Sequence, residues 1–305
     1  MSSPVRSQYF ISGILICILG AVCFSTKAIF VKLAYRDTNI DAVTLLALRM
    51  IFSLPFFVIT AITASSKQGN TRFSGKQWLS IAVVGCLGYY ISSLLDFLGL
   101  QYITAGMERL VLFIYPTLVL LMVSIVYREK IRQKQWIAVA ITYVGLLVAF
   151  VAEAGFEQPA GNNFALGAFL IFACAITYAM YIVGSGRIIP SVGAAKFNSY
   201  AMSFACIAVL IHYWVVSGKS LLHYDGLVYI YSICMAVFST VIPSYLVTEG
   251  IKRVGSDNAA IVGSVGPIST ILQAYFLLGE QISFLQLLGT FFVLGGVLLI
   301  GKKSS

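Results

Sequence analysis

Almost the whole chain consists of long apolar runs separated by short polar breaks. Ten runs stand out, at Tyr9–Val31, Ala42–Ala64, Trp78–Gln101, Ala105–Val126, Trp136–Ala152, Phe164–Val183, Ala194–Val216, Leu227–Val247, Asn258–Leu278 and Phe284–Ile300. About 20 mainly apolar residues carry a helix across a bilayer. The breaks hold the loop chemistry, as in SSKQGNTRFSGK at 65–76 and EQPAGNN at 157–163. The pattern predicts an all-α integral membrane protein of ten transmembrane helices, with almost nothing left over for a water-soluble domain. The first run is too long for the apolar core of a signal peptide, and no small-residue cleavage site followed by a mature domain comes after it, so it reads as helix 1.

Composition supports this class: 59% of the 305 residues are hydrophobic, 10% are charged and the mean hydropathy is +0.93, far from a soluble balance. Charge then orients the helices. With the N-terminus in the cytoplasm, fourteen Lys and Arg fall in inside segments, whereas Lys32, Arg36 and Lys219 fall outside. That asymmetry places both termini in the cytoplasm. The net charge of +9 is accounted for by topology and calls for no nucleic acid, while the basic loops suit anionic lipid headgroups. The six cysteines all lie within spans, without a CxxC pair, and read as small packing residues.

A shift of 151 residues aligns Gly99–Phe150 with Gly250–Gly301 without a gap. It pairs Pro116 with Pro267, Glu129 with Glu280, Gln135 with Gln286 and Gly145 with Gly296. A weaker match sets Gly13–Phe24 against Gly167–Tyr178. Helices 1–5 (residues 9–152) therefore form a first copy and helices 6–10 (residues 164–301) a second. Because five is odd, the copies enter the membrane from opposite sides, as the inverted repeats of many secondary transporters do.

With ten helices in a five-plus-five repeat, the stretch ERLVLFIYPTLVLLMVSIVYREKI and the ending GPISTILQAYFLLGEQISFLQLLGTFFVLGGVLLI, the chain resembles the EamA family of the drug/metabolite transporter superfamily over nearly its whole length. The resemblance implies a multi-pass carrier of the bacterial inner membrane, with a cavity lined by helices 1–4 and 6–9 and with helices 5 and 10 peripheral. It also implies small-metabolite substrates, amino acids among them, mostly exported and in some members imported. Distant four-helix relatives that exchange cations for protons use a glutamate in helix 1; this chain has Lys27 there and no acid, which disfavours lipophilic cations and favours anionic or zwitterionic metabolites.

Charges inside the spans supply the candidate chemistry. Lys27 (helix 1), Arg49 (helix 2), Asp96 (helix 3), Glu108 and Arg109 (helix 4) and His212 (helix 7) all fall in the outer half. An ionised lysine in mid-membrane costs about 2.5–3.5 kcal/mol on insertion scales. Lys27 either snorkels to an edge marked by Lys32 or serves the cavity. The three cations outnumber the two carboxylates by one, so either an unpaired cation holds a carboxylate or phosphate of the substrate, or the charges form a structural salt-bridge cluster; Glu108 also suits a helix N-terminus. Asp96, Glu108 and His212 are the groups able to couple transport to protons. Tyr89, Tyr178, Tyr181 and Tyr245 complete the candidate substrate-binding set, with lipid or helix packing as the alternative for each. Pro116 and Pro267 are hinge candidates against a static kink. Gly289, Gly295 and Gly296 serve either a homodimer or internal packing. GVLLIGKK at 296–303 lacks the Ser or Thr of a phosphate loop, and HExxH, a nucleophile elbow and paired His/Cys metal spacing are missing. The expectation is thus a carrier, with no enzyme activity, cofactor or metal, that exports a small carboxylate-bearing metabolite such as an amino acid by alternating access, with uptake by the same fold as the alternative.

Overall fold

The computed structural model describes residues 3–65, 73–128, 130–154, 163–254, 262 and 265–301. Among them every regular element is a helix. A backbone in hydrocarbon must satisfy each N–H and C=O within its own segment, so apolar runs of this length fold no other way. Eight helices are long and apolar enough to span a bilayer: α1 (Gln8–Asp37), α2 (Ala42–Ser65), α3 (Gly75–Gly99), α4 (Ala105–Val126), α5 (Gln133–Ala152), α6 (Phe164–Val192), α7 (Ala194–Val216) and α8 (Gly226–Val247). Two shorter apolar helices follow, α9 (Val265–Leu278) and α10 (Phe284–Leu299). The predicted start of the ninth run at Asn258 lies outside the described residues.

Local chemistry sets the helix ends. Ser74 and Gln77 form a reciprocal capping box at the start of α3. Thr104 accepts from the Met107 N–H at the start of α4. Gly279, at φ 71°, ends α9 in the left-handed conformation that glycine adopts without strain. The sequence places the outer edge of helix 1 at Lys32, but α1 runs on to Asp37, because its polar end finds partners. Lys32 Nζ donates to the carbonyls of Leu100 (3.2 Å) and Ile103 (2.9 Å), and the Tyr35 hydroxyl donates to the Phe97 carbonyl. Lys27 therefore sits about 15 Å from the end of its helix.

The largest buried cluster joins the second half of α1 (Ala28–Ala34), the first half of α2 (Ala42–Met50), Phe97, Leu100 and Ala105 with residues of α7, α8 and α9. Helices α5 and α10 pack against each other at the rim. There Trp136, Ile137, Leu147 and Val151 of α5, with Phe284 and Phe291 of α10, face outward. Their crossing is tight. A methyl at Gly145 would meet the Gly289 carbonyl and the Val293 nitrogen at 2.7 Å, and one at Gly296 would meet the Ala138 carbonyl at 2.6 Å and the Thr142 nitrogen at 2.9 Å. Gly289 and Gly296 thus serve internal packing, while Gly295 has open space around it. These contacts are reciprocal under the 151-residue shift: 145 answers to 296, 142 to 293 and 138 to 289.

Three π turns occur among the described residues; Ala274–Leu278 closes α9, and the other two sit at matching places. Cys86–Ile91 interrupts α3 and Val237–Val241 interrupts α8, with starting residues 151 apart. Such bulges cluster at functional sites, and both hold polar side chains that reach helices beyond their own.

Candidate functional site

Five of the six intramembrane charges meet or approach one another. Lys27 Nζ lies 2.7 Å from Asp96 Oδ2 and 3.3 Å from Glu108 Oε1. The side chains are 16%, 1% and 0% exposed, so α1, α3 and α4 are tied together by one ammonium shared between two buried carboxyl groups. The side chain has no need to snorkel, since its charge is met in place. The shared ammonium draws the carboxyl groups of Asp96 and Glu108 together, and Asp96 Oδ1 and Glu108 Oε2 are left buried without a hydrogen-bond partner. Ser92 and Cys174 close the site on the α3–α6 side, their Oγ and Sγ 3.3 Å apart.

Both arginines are engaged by hydroxyls. Arg49, 6% exposed, donates from Nε to Thr240 Oγ1 (3.0 Å) in the α8 π turn, and its guanidinium stands 5.5 Å from the centre of the Phe97 ring. Its Nη1 is buried with no hydrogen-bond partner. Arg109 donates from Nε to Thr270 Oγ1 (3.1 Å) and from Nη2 to Ser25 Oγ (3.4 Å). Among the described residues neither arginine forms an ion pair. The surplus positive charge foreseen in the sequence therefore rests on guanidinium groups and not on Lys27. A buried planar cation with a free donor can hold a carboxylate through charge-assisted hydrogen bonds.

Beside the charges runs a row of tyrosines. Tyr115 meets Tyr178 edge-on (5.0 Å between ring centres), Tyr178 stacks on Tyr181 (5.8 Å), and Tyr181 meets Tyr89 (4.9 Å). The Tyr89 hydroxyl lies 3.0 Å from that of Tyr181 and donates to Asn198 Oδ1 at 2.9 Å. The α3 π turn thus reaches α6 and α7. The α8 π turn likewise reaches α1 and α2, through Ser239 on Thr26 (2.6 Å) and Thr240 on Arg49.

Three candidates stand apart. Tyr245 is 43% exposed and contacts Thr60 on the outer surface of α2 and α8. His212 packs its ring on Tyr90, 5.6 Å away. Pro267 is the third residue of the helical stretch Val265–Gln273, in a first turn where a missing N–H costs little, whereas Pro116 follows a break in α4 at residues 113–114. Glu129 lies outside the described residues. Its counterpart Glu280 caps α4, accepting from the Ala105 N–H (2.8 Å) and the Gly106 N–H (3.2 Å); burial pushes its carboxyl up from the ordinary value. Sequence reasoning missed Ser25, Thr26, Ser239, Thr240 and Thr270. The one available signal was hydroxyl residues recurring in otherwise apolar spans. Among the described residues no three His, Cys, Asp or Glu side chains gather as a metal site would require.

Comparison with known proteins gives consistent matches along the chain. The model of the EamA-like transporter family matches residues 11–151 and again 165–302. The uncharacterized transporter YcbK of Bacillus subtilis is 31% identical over 304 residues, covering 96% of each chain. The uncharacterized inner membrane transporter YicL of Salmonella typhimurium is 22% identical over 302 residues, again 96% of each. A solved crystal structure shares the fold, with a TM-score of 0.63 at 19% identity, covering 94% of this chain and 97% of that one.

Proposed function

The chain belongs to the EamA-like transporter family, and from that premise we propose that it is a secondary carrier of the bacterial inner membrane that moves a small carboxylate-bearing metabolite, such as an amino acid, out of the cell by alternating access. As a family member it is a multi-pass membrane transporter. The observation that carries the substrate reading is Arg49: buried in the helix bundle, without an acidic partner among the described residues, and with Nη1 left free. A charge so placed is costly unless something completes it. A substrate carboxylate would do so, and the neighbouring Asp96–Glu108 pair would receive an ammonium group. Two halves of inverse topology give two near-equivalent states, each opening the site to one side.

The test is flux from proteoliposomes loaded with a pool of amino acids and organic acids and read by mass spectrometry. Selective, saturable loss of amino or organic acids, stimulated by the same compound on the far side, is the expected outcome. Selective loss of cations or sugars instead would refute the substrate reading, and non-saturable leakage of the whole pool would refute the carrier.

A further inference from the structure

We propose that Asp96 and Glu108 hold one exchangeable proton between them, and that the ammonium group of the substrate displaces it, making the protein a one-for-one substrate–proton exchanger. This inference rests on the amino acid reading above and adds the coupling ion and its seat.

The geometry leads there in two steps. First, two carboxyl groups drawn to one ammonium have no donor between them when both are ionised; one proton makes one of them a donor and removes the repulsion. Second, charge within ion-pairing distance does not balance without it. The charged groups around the pair are Lys27 from α1, Arg49 from α2 and Arg109 from α4, and the neutral titratable groups are the Cys174 thiol from α6 and the Tyr35 phenol near the end of α1. Of these cations only Lys27 reaches ion-pairing distance; the arginines are turned to Thr240, Thr270 and Ser25. Two carboxylates on one ammonium leave one negative charge over, at 0–1% exposure, and a bare charge buried to that degree takes up a proton in preference to staying ionised. Asp96 Oδ1 and Glu108 Oε2 are buried and accept no hydrogen bond from any donor. They are acceptors awaiting one.

A proton or a substrate ammonium can fill that role, but the same oxygens cannot serve both. When an amino acid places its carboxylate on Arg49 and its ammonium on the pair, the carboxyl O–H gives its proton to water on whichever side the site then faces. When substrate leaves on the other side, a proton is taken up there. A zwitterion moves one way and a proton the other, so each turnover carries one positive charge in the direction of the proton. His212 packs on Tyr90 and makes no ion pair with either carboxyl group.

The experiment mixes purified protein, in weakly buffered detergent solution near neutral pH, with a pool of neutral L-amino acids. Released protons are followed with a pH-indicator dye, and binding is followed separately as a rise in Tm. Wild-type protein is expected to show a Tm rise together with release of close to one proton per protein. Its apparent affinity should weaken by up to about tenfold for each unit by which the pH is lowered, as one-proton competition requires. Glu108→Gln, which cannot share the proton, should release none. A Tm rise without proton release, or with an affinity indifferent to pH, overturns the inference and leaves the substrate reading standing. Neither a Tm rise nor proton release overturns both. The wild-type pH dependence decides the matter even where the variant fails to fold.

Discussion

Removing the ammonium of Lys27 should show how strongly the buried charges depend on one another. At 2.7 and 3.3 Å, with an effective dielectric of about 20, its two attractions are worth about 6 and about 5 kcal/mol before desolvation is counted. Desolvation takes back most of this, and breaking a buried ion pair by deleting one partner costs about 3–5 kcal/mol net. For a chain of this length each kcal/mol moves Tm by about 2 °C, so Lys27→Met should melt about 6–10 °C below wild type. Thermal unfolding in detergent, followed by a thiol-reactive dye at the buried cysteines, reads this directly, since Cys17, Cys174 and Cys206 are free and buried. The decisive quantity is the coupling. Measured at alkaline pH, where both carboxyl groups are ionised, Lys27→Met combined with Glu108→Gln leaves one uncompensated carboxylate where Lys27→Met alone leaves two, so the double variant should cost about 2 kcal/mol less than the sum of the singles. Additivity within about 0.5 kcal/mol, the behaviour of independent sites, would refute the shared-ammonium reasoning.

Arg49→Met should lower flux at least about tenfold, the loss of one charge-assisted contact of about 1.5–3 kcal/mol, while Thr240→Val, which only frees Nε, should lower it less; equal flux in Arg49→Met and wild type would remove Arg49 from the site. Gly145→Ala and Gly296→Ala should each destabilise by about 1–3 kcal/mol, because the added methyl meets backbone atoms of the facing helix, whereas Gly295→Ala should be neutral; thermal melts separate the three. Burial raises the titration of Glu280 above its unfolded value, so its contribution to stability is present below the unfolded pKa and is lost as pH rises through the folded one. Glu280→Gln, which keeps an acceptor for the α4 N–H groups, should therefore gain in Tm relative to wild type as pH rises through that window, and a difference constant with pH would contradict the sign.

Much of the architecture was legible because lipid leaves a chain so few options. Hydropathy alone located the eight long apolar helices, and Lys27, Arg49, Asp96, Glu108 and Arg109 stood out because each is expensive where it lies. Their pairing was not legible. Lys27 meets Asp96 and Glu108, 69 and 81 positions away, and a single chain records no such coupling. The hydroxyl partners were hidden for another reason: Ser25 and Thr270 also bond carbonyls of their own helices, Ala21 and Gly266, so nothing in the local sequence separates them from ordinary helix-facing hydroxyls. The extension of α1 past Lys32 was missed because its polar end is satisfied by backbone carbonyls near residue 100, contacts that only the packed bundle creates. The π turns have no sequence mark at all.

The crossing of α5 and α10 has a property that the rest of the bundle lacks need of. Exchange the two halves, and Gly145 against Val293 becomes Gly296 against Thr142, a contact already present. In the proposed cycle, whose two states differ by the halves trading shapes, such a seam would look the same at either end of the stroke. In the alternating-access cycle proposed above it would act as an axle, stationary while the helices around the charges turn about it. Strengthening an axle tilts no balance between states, so this rim is where the molecule can gain robustness without favouring either direction of opening.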